Sequence, residues 1–210
     1  MIGDRILLLI VDRRQKMSKV NLGKNISIYP MPVTLVGATV DGKPNFMTEA
    51  WISRVNAAPP MLAVSLNKTR YTAKGIHENE TFSVCFPNAS LAKEVDYCGL
   101  VSGKESDKSK LFEVFYGDLK TAPMIKSCPL CIECKLKEVF EFPTNDLYIG
   151  EIMNSYADES CFTDGKLDVR KVDPLLLSMP DNRYWRIGDY VGDAWSMGKS
   201  LRPENKKGNR

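Results

Sequence analysis

Histidine is almost absent: His77 is the only one in 210 residues. A histidine-rich metal site is thereby excluded, and any catalytic triad would hang on one ring. His77 falls late in a charged stretch with Lys74, Glu78 and Glu80, which reads as an exposed helix face. Long apolar runs are also missing. Ile6–Val11 spans only six residues, against the roughly 18 that a membrane-spanning helix requires. It also lacks the longer core and small-residue cleavage site of a secretory signal. Without an export signal, the six cysteines are expected reduced and the protein cytoplasmic, with no membrane partner. Charge of one sign is lacking too. Twenty-nine basic residues against 26 acidic leave a net +3, too little to indicate a nucleic-acid partner. No Gly-x-Gly-x-x-Gly occurs, so a dinucleotide fingerprint is absent. The segment Gly192–Ser200 imitates a phosphate-binding loop, but five residues separate its glycines where that loop needs four. Arg202-Pro203 then follows in place of a helix.

What is present is a chain long enough to bury about 70% of its unfolded surface, so neither metal nor disulfide is needed to fold it. Met17-Ser18 resembles a start, so residues 1–16 are expected to be an upstream extension, disordered or peripheral. Residues 17–198 read as one domain. Residues 199–210 carry Lys199, Arg202, Lys206, Lys207 and Arg210 against Glu204, which reads as a basic, disordered tail.

The local signals are those of a mainly β protein. Val33–Val40, the Asp41-Gly42-Lys43-Pro44 turn and Asn45–Val55 predict a hairpin. Met61–Leu66 and Phe82–Phe86 predict short strands, with a helix between them capped by Thr72 and ending near Asn79. Residues 90–115 read as helical, with Ser90 and either Ser106 or Asp107 as caps. Leu130–Phe142 alternates with period two, apolar on even positions and mostly polar on odd ones. Asp146–Tyr156 forms its hairpin partner, and Tyr184–Tyr190 is a last strand. Strands joined by tight turns, without βαβ alternation, imply an antiparallel barrel or sandwich.

Cys128-x-x-Cys131-x-x-Cys134 invites a metal or redox-sensor reading. Residues three apart on a strand point to opposite faces, which sets Cys131 against Cys134 and makes buried thiols the better account.

Three other segments suit a planar, anionic ligand. Asn45-Phe46-Met47-Thr48-Glu49-Ala50-Trp51 offers backbone polar groups beside a flat apolar wall. Ser65-Leu66-Asn67-Lys68-Thr69-Arg70-Tyr71-Thr72 runs from a strand end into a helix N-terminus, where free N–H groups favour a phosphate and Arg70 adds a two-pronged clamp. Cys98-Gly99-Leu100-Val101-Ser102-Gly103, with Lys108 beyond it, lets backbone approach a ligand closely.

These segments carry a resemblance. Their order and spacing, with Phe82–Asn88, Asp96–Gly103 and Asp146–Ile152, are similar to the flavin reductase-like, FMN-binding split-barrel family over roughly residues 20–200. The resemblance implies a six-stranded antiparallel Greek-key split barrel with a few short helices. It further implies a homodimer with one FMN per subunit near the interface. By position, Asn45, Met47, Thr48, Ala50 and Trp51 would line the isoalloxazine, and Ser65, Leu66, Asn67, Arg70, Tyr71 and Thr72 would hold the phosphate and ribityl chain. Asn88, Cys98, Ser102, Gly103 and Lys108 would close the other side, with Tyr184 over the ring. Relatives often place His before the Asp-Leu-x-Ile-Gly segment. Asn145 stands there in this chain and cannot carry a proton charge. The implied activity is an FMN-dependent oxidoreductase, fed by NAD(P)H or a redox protein, with no acid–base catalytic residue. The other readings are a flavin- or haem-binding module without turnover, and a cysteine-based metal or redox sensor.

Overall fold

The computed structural model describes residues 19, 21–24 and 29–201. The expected N-terminal extension and all of the basic tail beyond residue 201 lie outside them. Residues 197–201, at the start of that tail, form a short 3-10 turn.

Seven antiparallel strands make the central sheet: β1 (Thr34–Val40), β2 (Lys43–Glu49), β3 (Ile52–Asn56), β4 (Met61–Asn67), β5 (Thr81–Phe86), β6 (Leu130–Glu141) and β7 (Asn145–Ala157). Helix α1 (Tyr71–Asn79) joins β4 to β5, and α2 (Ala92–Leu100) follows β5. The sheet order is β2-β1-β5-β6-β7-β4-β3. Strands β2 and β3 are therefore the two outer members of the sheet, yet only Ala50 and Trp51 separate them in the chain. A two-residue link between opposite edges forces the sheet to curl on itself, giving a split barrel.

The single long strand expected over Asn45–Val55 is accordingly two. Its first half pairs with β1 from Lys43↔Val40 to Glu49↔Thr34, and its second half pairs with β4. The Glu49 carboxylate explains the break: Oε1 accepts from the backbone N–H of both Ala50 and Trp51 at 2.9 Å, satisfying amides that leave the ladder.

Two apolar clusters hold the barrel. Val36, Ala38, Met47, Leu62, Val64, Leu66, Phe82, Val84, Cys134 and Tyr148 fill the interior, closed by Ala73 and Ile76 of α1. Val33, Leu35, Phe46, Cys85, Val95, Cys98, Cys128 and Cys131 form a second cluster under α2 and the residues before β6. Alternate residues of β1 thus enter different clusters, which is why this strand is buried on both faces. At about 1.5–3 kcal/mol per fully buried large aliphatic or aromatic side chain, these two clusters dominate the stability. Cys131 and Cys134 also fall into different clusters, as the strand argument requires.

Other expectations need correction. Thr72 is not the cap of α1: the N-cap residue is Arg70, which makes no side-chain cap bond, and Thr72 is buried one step inside. Residues 90–115 are not continuously helical. Asn88 caps a 3-10 turn over Ala89–Leu91 that leads into α2, and Asp107 caps another over Lys108–Leu111. Residues 101–107 between them are irregular. The final strand is only Arg183–Trp185, paired with Leu176–Ser178. The alternation of β6 is interrupted. Its pairing with β7 skips Lys137, so Leu136 and Val139 both face inward while Phe140 is exposed. Cys131 and Glu133, on the odd and supposedly wet positions, are buried as well.

Candidate functional site

The three segments meet. Met47 and Thr48 of β2, Thr69, Arg70, Tyr71 and Thr72 at the start of α1, and Cys98, Val101, Ser102, Gly103 and Lys108 line one cavity of about 140 Å³. Packing at its floor is tight. Asn45 Nδ2 donates to the Thr72 hydroxyl at 2.7 Å. Gly103 lies so close that an added Cβ would fall 2.0 Å from Asn45 Oδ1 and 2.9 Å from Tyr71 Cδ1. Glycine is therefore required by space at Gly103, where the loop after α2 is seated on β2 and α1.

The β4–α1 bend is built by its own side chains. Asn67 Oδ1 accepts from the backbone N–H and hydroxyl of Thr69, and Arg70 N–H donates to Asn67 carbonyl at 3.0 Å. Lys68 turns away to Asp146 (2.8 Å) and Glu141 (3.4 Å), leaving Arg70 as the bend's cation at the cavity. Because α1 has no side-chain cap, its first amides open there under the positive end of the helix dipole.

Lys108 is the second cation. Only 3% exposed, its ammonium donates to the carbonyls of Cys98 (3.0 Å) and Val101 (2.9 Å), groups that the end of α2 leaves free. Burial holds its pKa below the ordinary lysine value, and nearby Arg70 pushes the same way. Burial pushes the Cys98 thiol up to about 11. Two cations, five hydroxyl groups and an uncapped helix start line this cavity, with no carboxylate among the described lining residues. Glu49 is outside the lining, its carboxylate on the Ala50 and Trp51 amides, and burial raises its pKa while those bonds partly restrain the rise. Such a site attracts an anion. Its volume is below the roughly 300–1,000 Å³ of whole-ligand pockets, so it suits the phosphate end of something larger.

A second, apolar cavity of about 410 Å³ opens on the barrel corner, lined by Ala50, Trp51, Ile52, Ala63 and Leu147 with Tyr29, Met31 and Met179 among others. The remaining expected residues sit as follows. Ser65 accepts from Asn145 Nδ2 at 3.4 Å, and its amide donates to the Trp51 carbonyl at 2.9 Å, tying β4 to the corner. Leu66 is fully buried in the barrel interior, so its side chain faces the core. Tyr71 donates to Asp41 at 2.7 Å. Asn88 is spent as a cap, and Tyr184 donates to Asp96 at 3.0 Å. Neither lines the polar cavity. The sequence reading missed Thr69 and Val101 in the lining and Glu49 at the corner. Thr69 was legible as the residue an Asn-x-Thr turn would fix, whereas Glu49 carries no local signal because its role exists only once β2 and β3 separate.

Residues 26–178 match the flavin reductase like domain family, and the chain belongs to it. Membership places it among flavoproteins with a redox role. The described fold is most usefully compared with flavoredoxins. That of Methanosarcina acetivorans is 58% identical, covering 88% of this chain and all of that one, with a TM-score of 0.86. That of Desulfovibrio vulgaris (Miyazaki F) is 36% identical, covering 87% and all of that chain, with a TM-score of 0.80. An FMN-binding protein of Thermus thermophilus shares 25% identity over 84% of this chain and 97% of that one, with a TM-score of 0.71.

Proposed function

We propose that this protein binds FMN and carries electrons as a cytoplasmic homodimer, taking them from a nicotinamide or a redox protein and passing them to an acceptor. The observation that carries the reading is the polar cavity: an uncapped helix start, Arg70 and buried Lys108 converge with no opposing carboxylate in the lining. The FMN phosphate fits there. Arg70 would clamp it with the first amides of α1, and the hydroxyls of Thr69 and Ser102 would complete its shell. Lys108 would add a second positive charge beside an anionic ligand held there. Trp51 and Ala50 would give the ring system a flat, unobstructed wall at the corner. When bound, the flavin supplies the electron chemistry. Asn145 can hydrogen-bond but not ionise, so no protein proton is exchanged at that position. The exposed face of Trp51 and the apolar cavity beside it support a second copy packing at the corner.

The test is FMN titration of the purified protein, followed by anaerobic reduction with NADH, NADPH and a reduced ferredoxin in parallel. One of the three is expected to bleach the bound flavin. Replacing Arg70 or Lys108 with Met removes a charge-assisted contact of about 1.5–3 kcal/mol, and should weaken FMN binding about 10- to 100-fold. A preparation that ignores added FMN, or variants that bind it unchanged, would sink the reading. Bound flavin that no donor reduces would indicate a carrier of flavin only.

A further inference from the structure

The sequence singled out Cys128, Cys131 and Cys134, but folding redraws that group. Cys134 faces the barrel interior, whereas Cys85 joins Cys128 and Cys131 in the cluster under α2. All six thiols are free and buried. Cys85 stands directly opposite Cys131 on the β5–β6 ladder. Directly opposed residues have Cα atoms about 4.5–5.5 Å apart, inside the window of about 4.4–6.8 Å that a disulfide needs. Cys131 Sγ donates to the Ile125 carbonyl at 3.4 Å and lies 3.8 Å from the Cys128 carbonyl, and Cys128 packs in the same cluster. The group is not sealed. Cys128 and Cys131 line a cleft of about 310 Å³, with Glu113, Lys126, Tyr156 and Asp158 around its rim. No set of His, Cys, Asp or Glu side chains among the described residues is arranged to hold a metal ion.

We propose that Cys85, Cys128 and Cys131 form an oxidation site for small hydroperoxides, in which Cys131 reacts first and Cys85 closes a disulfide with it. The Cys131 sulfur attacks the peroxide oxygen, the O–O bond breaks, and an alcohol or water leaves with a proton. The Cys85 sulfur then attacks the resulting sulfenic acid, the S–O bond breaks, and water leaves with the Cys85 proton. Two thiols are oxidised to one disulfide and one hydroperoxide is reduced. Cys128 contributes by donating its S–H to whichever neighbour is ionised. A thiolate with thiol donors beside it forms more readily, and the protons that remain are then harder to remove. Cys131, Cys85 and burial together hold the Cys128 thiol above the usual range. At Cys131 the help from Cys128 is outweighed by Cys85 and burial, so that thiol is held high as well and its reaction quickens as pH rises.

The experiment treats the full-length protein with hydrogen peroxide, alkylates the remaining thiols and maps tryptic peptides by mass spectrometry. Residues 127–135 form one peptide carrying Cys128, Cys131 and Cys134, so a bridge to Cys85 joins it to a separate peptide. The expected result is a Cys85–Cys131 disulfide, reversed by dithiothreitol, with Cys98, Cys134 and Cys161 still alkylated. Cys85→Ser should stop at a Cys131 sulfenic acid that dimedone captures, and Cys128→Ala should slow oxidation several-fold. Cys134→Ser should change nothing. Equal oxidation of all six thiols, a Cys128–Cys131 bridge, or no bridge in wild-type protein would overturn the proposal. The wild-type and Cys134→Ser results decide it even where the other variants fold poorly. None of these readouts depends on flavin.

Discussion

Gly103 and Glu133 show how single residues carry the fold into the site. At Gly103, even a methyl group would collide with Asn45 Oδ1 at 2.0 Å. Gly103→Ala should therefore break the Asn45–Thr72 bond and lose about 1–3 kcal/mol of stability, as overpacking usually does. FMN affinity should fall in the same variant, and urea unfolding with flavin titration reads both effects. Glu133 is fully buried on a strand position that alternation marks as wet. Its carboxylate accepts from the amides of Asp118 and Leu119, from Asn154 Nδ2 and from the Tyr156 hydroxyl. Burial opposes its ionisation, but the Asn154, Leu119, Tyr156 and Asp118 donors outweigh that and lower its pKa. A carboxyl lowered on folding adds stability that is present above its unfolded pKa, near 4.3, and is lost as pH falls through the folded value. Glu133→Gln should be destabilised by about 2–3 kcal/mol at neutral pH, because its amide faces N–H groups that need an acceptor. The gap to wild type should narrow below about pH 4.3, which denaturation across pH checks. A widening gap would contradict the assignment. Arg70, Gly103 and Lys108 were legible in the sequence because each has a strong intrinsic property of charge or shape. Glu133 was not, since its donors come from residues 14–23 positions away.

Among the elements, α1 is the clearest case of packing overriding propensity. An exposed helical glycine replaced by alanine normally gains close to 1 kcal/mol. Gly75 is different: a Cβ there would come 2.4 Å from the Thr39 carbonyl of β1. Gly75→Ala should therefore lower the unfolding midpoint and loosen the helix whose N-terminus opens on the cavity. A rise in the midpoint would mean that α1 sits farther from β1 than described. The strands β1, β4, β5, β6 and β7 were readable from alternation and turn residues alone. The breaks were not. The skip at Lys137 and the corner after Glu49 follow from barrel curvature, which the whole sheet imposes and no local window records. The same holds for residues 101–107, whose irregular path is fixed by contact with Asn45 and Tyr71 and not by helix-stop residues.

For the molecule as a unit, ligand linkage gives a direct check on the proposed cofactor. FMN at about 100 times its Kd should add about 2.7 kcal/mol to the folded state, a rise of roughly 5–10 °C in Tm for a chain of this size. Riboflavin, which lacks the phosphate, should give less than a third of that rise, as scanning calorimetry will show. An equal rise would place the binding energy in the ring and not at Arg70 and Lys108. The Ala50–Trp51 corner gives this linkage its mechanical form. One dipeptide fastens the barrel's two margins and also faces the hollow where an aromatic guest would rest. Tightening the shell and reshaping the berth are then a single act. Natural variation at these two positions should be confined to changes that both tasks tolerate together.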